Sequence, residues 1–216
     1  MIYKKETAFA VAGYLLQVNA IKLNNKNPFT WASGMRSPIY CDNRVTLSFP
    51  DVRTYIRQQF VNAIRDEFGD VDLIAGVATG AIAQGVLVAQ EMELPFAYVR
   101  SGSKGHGLEN QIEGKVEAGQ KVVVVEDLVS TGGSSLKAVE ALRQAGCEVL
   151  GMVAIFTYEL PAALKNFEES NCKLITLSDY SSMIQRAVEK EYIQPSDMES
   201  LTEWRKDPKK WAQKFE

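Results

Sequence analysis

The sequence predicts an α/β fold, with a central and mostly parallel sheet flanked by helices. Four consecutive valines, Val122 to Val125, are typical of a strand that is buried on both faces. Strand-like and helix-like segments alternate along the chain, as they do in parallel α/β sheets. The 216 residues are 46% hydrophobic and carry a net charge of −3, which suits one substantial core.

Apolar spacing and turn residues place the elements along the chain. We predict a helix over residues 4–23, a loop rich in Asn, Pro, Ser and Gly over 24–44, and a helix from about 48 to 68. Strands are predicted at 72–78, 94–100, 122–126, 148–158 and 174–177, with a helix after the first ending near 92 and a helix after the third ending at Gly146. The last forty residues predict two or three short helices, split at Pro195 and Pro208.

Composition excludes several classes of protein. No apolar run approaches the roughly 20 residues needed to span a bilayer, and the first residues lack the features of a secretory signal. Cys41, Cys147 and Cys172 are scattered and without metal-ligand spacing, so we expect reduced thiols and a cytoplasmic location. The mild acidity argues against a general nucleic-acid binder.

The segment from Lys121 to Ser135 predicts an anion site. The valine strand is followed by the carboxylates Glu126 and Asp127 and then by a Ser/Thr/Gly turn that opens a helix. Backbone N–H groups at such a helix start have no intrahelical partner and suit a phosphate. The turn lacks the lysine of a nucleoside-triphosphate loop and the glycine spacing of dinucleotide folds.

Carboxylates beside a phosphate site would repel a polyanion, but they can accept hydrogen bonds from sugar hydroxyls. The pattern therefore suggests a ribose 5-phosphate, with Glu126 and Asp127 on the 2- and 3-hydroxyls. A turn capped by two carboxylates in some other α/β protein is the structural alternative. It would not explain two carboxylates, two glycines and four hydroxyls in one turn.

Residues 122–135 resemble the phosphoribosyl diphosphate (PRPP) signature of the type I phosphoribosyltransferases. The resemblance implies that family's fold, with a hood over the base pocket formed by about 1–45 and 160–216 and a core of about 46–159, in one domain. It implies PRPP binding by a set of residues in this turn and the loop at Val77 to Ala81: Glu126, Asp127, Leu128, Val129, Ser130, Thr131, Gly132, Gly133, Ser134, Thr79 and Gly80. By sequence alone, the Val77 loop is equally a plain connecting turn.

A second Gly-rich loop indicates which group of phosphoribosyltransferases the chain resembles. Arg100, Lys104 and His106 lie in a polar segment with four glycines in fifteen residues, where core packing does not account for the chain's one histidine. With the segment Phe29 to Tyr40, this loop is similar to the orotate phosphoribosyltransferases. The resemblance implies a lid that neutralises the leaving pyrophosphate through these three residues, catalysis by them and Asp127, and orotate binding by Ser130 and Tyr40.

Three positions depart from the family pattern. Basic residues found in many members are replaced by Ala32 and Ser101, and Tyr158 lies where some members have an arginine. These departures leave the orotate carboxylate with fewer partners, for which Arg36 and Arg44 are candidates.

The resemblance implies that orotate and PRPP give orotidine 5-monophosphate and pyrophosphate, in pyrimidine synthesis. It also implies Mg²⁺, held mostly by water and substrate oxygens, and a homodimer that shares its lid loops between active sites. We assign no residue as a dedicated metal ligand, and we expect no nucleic-acid or membrane partner. Two alternatives stay open at this point: a phosphoribosyltransferase for a purine or uracil, and a regulatory protein that uses the same fold as a PRPP sensor. The basic cluster at 205–210 would favour the regulator, but it is also typical of a solvated helix surface.

Overall fold

The computed structural model describes residues 1–31, 34–100 and 111–215. The helices of these ranges are α1 (Lys5–Gln17), α2 (Pro50–Phe68), α3 (Ile82–Met92), α4 (Gly133–Gln144), α5 (Pro161–Glu169), α6 (Tyr180–Glu189), α7 (Met198–Lys206) and α8 (Pro208–Ala212). Short 3₁₀ helices cover Asn43–Ser48, Pro195–Asp197 and Gln213–Phe215.

The strands are β1 (Ile21–Leu23), β2 (Phe29–Thr30), β3 (Arg36–Ser37), β4 (Ile39–Cys41), β5 (Leu73–Val77), β6 (Phe96–Val99), β7 (Ile112–Glu113), β8 (Lys121–Val129), β9 (Glu148–Thr157) and β10 (Leu174–Asp179). Six of them form the central sheet in the order β10-β9-β8-β5-β6-β7. All neighbouring pairs in this sheet are parallel except β6 and β7. The predicted α/β fold with a mostly parallel sheet is therefore confirmed.

The valine strand separates the two apolar layers of the core. Val123 and Val125 belong to the layer that contains α1 and α2, whereas Val122 and Val124 belong to the layer that contains α4. All four side chains are fully buried, as expected for a central strand covered by helices on both faces. Strand β8 thus packs into both apolar layers, and the acidic pair follows these buried valines in the same strand.

The N-terminal helix is shorter than predicted, because it ends at Gln17 and not at residue 23. Asn19 has a left-handed backbone (φ 57°), a conformation that asparagine tolerates better than most residues and that stops a helix. Ile21–Leu23 then pairs with Ile39–Cys41 in an antiparallel ribbon. The helical spacing of Ile21 was therefore accidental.

The valine strand is longer than predicted and does not end at the acidic pair. It continues to Val129, because Leu128 and Val129 pair with Phe156 and Thr157 of β9. The sequence analysis also missed α5, which begins at Pro161. Gly146, predicted to end α4, follows its C-cap in a left-handed conformation (φ 84°).

The chain's first residues have a place in the sheet that the sequence did not predict. Ile2 forms a parallel bridge with Thr176 of β10, and the Tyr3 N–H donates to the Thr176 carbonyl at 2.9 Å. Strand β10, which falls inside the range assigned to the hood, is hydrogen-bonded to β9. The division into hood and core stays a prediction. Within the described ranges, no helix combines the length and apolar character needed to cross a bilayer.

We predict that Phe60→Ala destabilises the protein by about 3–5 kcal/mol, because Phe60 of α2 is fully buried and its removal leaves a cavity. The measurement is the urea midpoint of unfolding followed by circular dichroism. Leu164→Ala, at a side chain that is 62% exposed, is the control and changes stability by less than about 0.5 kcal/mol. Equal shifts in the two variants would contradict the assignment of Phe60 to the core.

Candidate active site

A polar cavity of about 440 Å³ lies at the carboxyl ends of β5 and β8, and we call it the acid cavity. In parallel sheets this edge is where ligands bind. Four segments form its walls: the end of β8, the start of α4, the turn after β5 and the end of β4 with the turn after it. Its lining residues are Cys41, Asp42, Arg44, Val77, Ala78, Thr79, Gly80, Glu126, Asp127, Leu128 and Ser134. The structure thus brings together Thr79, Gly80 and the acidic pair, which the sequence predicted from two separate motifs.

Glu126 is almost fully buried in the wall of the acid cavity, with 4% of its surface exposed. Its Oε1 accepts the Asp127 backbone N–H at 2.9 Å, and its Oε2 accepts the Ser135 hydroxyl at 2.7 Å. Burial raises the pKa of Glu126 far above its usual range, and the nearby charge of Asp127 adds to the effect. The Ser135 hydroxyl, one of the four hydroxyls in the predicted turn, is therefore used by this carboxyl group.

The Asp127 side chain projects into the acid cavity, directly over Gly80. A Cβ atom added at Gly80 would overlap the Asp127 carboxyl group, so this position accommodates the carboxylate only because it lacks a side chain. The peptide bond between Ala78 and Thr79 is cis. At Gly80, the turn after β5 packs directly against the Asp127 carboxyl group.

The turn between β8 and α4 has the geometry of an anion loop. Gly132 is in a left-handed conformation (φ 83°), and a Cβ there would lie 2.7 Å from the Phe167 ring. Helix α4 begins at Gly133, so the N–H groups of its first turn have no intrahelical acceptors. Thr131, Gly133 and Ser134 are exposed. These residues leave donors available for a phosphate at the start of α4.

Val129, also predicted to contact PRPP, has its side chain in the core beneath this turn. Its carbonyl accepts the Tyr158 N–H at 3.2 Å. Any contact between Val129 and a ligand would therefore involve its main chain only.

A second cavity, of about 240 Å³, adjoins the first, and we call it the aromatic cavity. Its lining residues are Thr30, Trp31, Tyr40, Cys41, Leu128, Ser130 and Tyr158. The Trp31 and Tyr158 rings lie 5.1 Å apart, and Trp31 Nε1 donates to the Ile39 carbonyl at 3.0 Å. Tyr40 and Ser130, predicted to bind orotate, are thus brought together here. A flat aromatic ligand would find ring faces and a few polar groups.

The two cavities share Cys41 and Leu128. A ligand in the acid cavity and a ligand in the aromatic cavity would therefore meet at these two side chains. This arrangement suits a bond formed between a sugar on one side and a ring on the other.

Arg100 lies at the end of β6, where its guanidinium is 3.1 Å from the Glu113 carboxylate of β7. Lys104 and His106 fall outside the described residues, as do Ala32 and Ser101. Arg36 donates from Nη1 to the Thr30 hydroxyl at 2.8 Å, at the rim of the aromatic cavity, whereas Arg44 forms an ion pair with Asp42 at 2.7 Å in the acid cavity.

Sequence analysis missed part of each cavity. It did not identify Trp31 and Thr30 as lining residues, although both lie in the segment that resembled the family. Tyr158 was noted only as a replacement for an arginine, and Asp42 was not noted. Aromatic residues at the end of a predicted strand were the available signal for Tyr158.

The acid cavity supplies oxygen ligands of the kind that Mg²⁺ prefers, in Asp42, Glu126 and Asp127. Across the described ranges, no three His, Cys, Asp or Glu groups come close enough together to form a metal site. The donor set therefore fits an ion held mainly by a ligand's own oxygens and by water.

Comparisons with known proteins agree with this geometry. The family model of the phosphoribosyl transferase domain matches residues 50–189. An orotate phosphoribosyltransferase of Porphyromonas gingivalis is 57% identical over 202 residues, or 94% of this chain and 96% of the relative, and one of Listeria innocua is 54% identical over 94% and 97%. The crystal structure of orotate phosphoribosyltransferase from Aeropyrum pernix superposes with a TM-score of 0.74 at 25% identity, over 85% of this chain and 99% of that one. The chain belongs to the orotate phosphoribosyltransferase family.

Proposed function

We propose that the chain transfers the 5-phosphoribosyl group of PRPP to orotate in the paired cavities, giving orotidine 5-monophosphate and pyrophosphate in pyrimidine synthesis. The single observation that carries this proposal is the junction at Cys41 and Leu128, where the acid cavity meets the aromatic cavity. The family membership supports the same reaction.

The pentose lies in the acid cavity, with its hydroxyls toward Asp127 and Glu126 and its 5-phosphate at the start of α4. Asp127 is half-buried and reaches the cavity directly, so it is the better placed acceptor for a hydroxyl. Glu126 already accepts two hydrogen bonds within the protein. Its carboxyl oxygens have further lone pairs, which accept a hydroxyl of the sugar. The raised pKa of Glu126 limits the negative charge that faces an anionic substrate.

Orotate lies in the aromatic cavity, between the Trp31 and Tyr158 rings and the polar groups of Ser130 and Tyr40. Arg36 donates to the hydroxyl of Thr30, one of the residues that line this cavity. It supplies positive charge to the orotate carboxylate.

Displacement at the anomeric carbon passes through a state with oxocarbenium character, so charge grows on the ribose and on the leaving pyrophosphate. The protein contributes by positioning both reactants and by stabilising these charges. Asp127 faces the sugar, while Arg100, Lys104 and His106 neutralise the pyrophosphate. Closure of the segment that carries them excludes water, which would otherwise capture the cation.

Magnesium, a homodimer and a cytoplasmic location belong to the same proposal. Bound Mg²⁺ would neutralise pyrophosphate charge beside Asp127 and Asp42. A dimer in which Lys104 serves the neighbouring site explains how positive charge reaches a cavity whose described lining includes one arginine, Arg44. The three cysteines are free thiols, as predicted for a reducing compartment.

We predict that adding PRPP and Mg²⁺ lowers the orotate absorbance in the presence of the protein, because orotate is consumed at the junction of the two cavities. A screen of adenine, guanine, hypoxanthine and uracil in the same assay serves as the control, and orotate is the only efficient acceptor. Pyrophosphate release with another base alone would favour a different phosphoribosyltransferase. Binding of PRPP with no release for any base would favour a sensor.

We predict that Gly80→Ala impairs PRPP use, because the new methyl group displaces the Asp127 carboxylate from the sugar. The specificity constant for PRPP falls by about 10²-fold, the scale of one lost charge-bearing contact in an active site. Gly13→Ala is the control: it lies in α1, where the new Cβ comes no closer than 3.4 Å to the Arg186 side chain. Normal PRPP kinetics in a folded Gly80→Ala protein would contradict the role of Asp127.

We predict that Lys104→Ala lowers kcat by about 10²-fold, because one charge-stabilising donor is lost, with less effect on PRPP binding. If sites are shared, mixing inactive Lys104→Ala with inactive Asp127→Asn protomers restores partial activity, since some hybrid sites combine an intact lysine with an intact aspartate. The measurement is orotate consumption after the two variants have exchanged subunits. Verified mixed dimers with no regained activity would exclude sharing.

A further inference from the structure

We propose that Asn43 is a positioning residue that holds Asp127 against the sugar through the main chain of β8. This inference rests on the function proposed above. Asn43 begins the 3₁₀ turn after β4 and is 99% buried, with 1% of its surface exposed. Its Nδ2 donates to the Asp127 carbonyl at 2.5 Å, across 84 positions of sequence. Asn43 is not a lining residue of either cavity, so it acts through Asp127 and not on a substrate.

The hydrogen bond from Asn43 to Asp127 lies where β8 extends beyond the end of its neighbour β5. The register of β8 with β5 ends at Val125 opposite Gly76, whereas pairing with β9 continues to Val129. The acidic pair therefore lies on an overhang that has a partner strand on one side only, within the described residues. A buried carbonyl without a donor is costly. Asn43 supplies a donor to the Asp127 carbonyl on this overhang.

Hydrogen bonds hold both the side chain and the main chain of Asn43. Its Oδ1 accepts the Cys41 thiol at 3.3 Å, and its main-chain carbonyl accepts the Thr46 hydroxyl at 2.6 Å. Because a thiol donor needs an oxygen acceptor, Nδ2 is left to face Asp127. The contact thus has one orientation.

A second side-chain amide holds the other end of the same segment. Asn166 of α5 donates from Nδ2 to the Thr131 carbonyl at 2.9 Å. Asn43 therefore acts at the sugar end of residues 127–131 and Asn166 at the phosphate end. The two contacts predict different kinetic effects. A contact that holds the phosphate equally in the ground state and the transition state raises KM when it is lost, whereas a displaced group beside the developing charge lowers kcat.

The test compares Asn43→Asp with Asn166→Asp, using orotate consumption at saturating and limiting PRPP. Asn43→Asp keeps the acceptor for Cys41 but replaces the donor to Asp127. We expect kcat to fall by about tenfold or more, the effect of one lost hydrogen bond to a buried group, with a smaller change in KM for PRPP. The melting temperature falls as well, because the new charge is buried, so the comparison of kcat with KM is the deciding readout. Asn166→Asp is expected to raise KM for PRPP more than it lowers kcat.

The matched control is Asn25→Asp, which adds the same charge. Asn25 accepts the Ser200 hydroxyl through Oδ1, and aspartate keeps an oxygen acceptor there. The kinetics of this control match those of the parent. If Asn43→Asp fails to fold, Asn43→Ser decides the question, because it removes the amide without adding a charge. The same loss of kcat is expected. An unchanged kcat in the folded variant, or loss of folded protein in both Asn43 variants, would overturn the proposal. A parent protein that does not consume orotate would instead overturn the proposed function.

Discussion

The site depends on a difference in length between two neighbouring strands. β8 continues past the end of β5 while it stays paired with β9, and the overhang carries Glu126 and Asp127. The space that β5 leaves is taken by its own following turn, where Gly80 lies against the Asp127 carboxylate. A shorter β8 would place the acidic pair in a free loop, and a longer β5 would fill the acid cavity. The cavity therefore follows from sheet register as much as from the side chains that line it.

Charge balance in the acid cavity explains how an acidic wall accepts an anionic substrate. Burial favours the neutral form of Glu126, and the hydroxyl of Ser135 satisfies its inner oxygen. Arg44 neutralises Asp42 on the opposite wall, and that pairing holds the pKa of Asp42 below its usual range. In the proposed mechanism, Asp127 then remains as the carboxylate directed at the sugar. The proposal separates sugar recognition on β8 from phosphate recognition at the start of α4, where helix N–H groups favour an anion.

The sequence was sufficient for the sheet and for the turn that opens α4, because both are encoded locally. Four valines and a following helix pattern need only neighbouring residues to be recognised, and Gly132 and Gly133 mark the turn directly. It was insufficient for contacts between distant segments. The pairing of Ile2 with Thr176, the packing of Asp127 on Gly80 and the wall formed by Trp31 and Tyr158 all depend on tertiary placement. The predicted end of β8 was wrong for the same reason, because pairing with β9 and not the residues of β8 alone sets where the strand ends.

The same ladder that carries the acidic pair also carries one wall of the aromatic cavity. Leu128 pairs with Phe156, and the Tyr158 N–H donates to the Val129 carbonyl, so Tyr158 is fixed relative to Asp127 by main-chain hydrogen bonds. Tyr158 is buried and also packs edge-on against Trp204 of α7, which ties the C-terminal helices to this wall. Because reaction requires the sugar and the base to be held within a small distance of each other, building both walls on paired strands reduces the motion between them. Movement of Tyr158 relative to Asp127 would then require breaking the β8–β9 ladder.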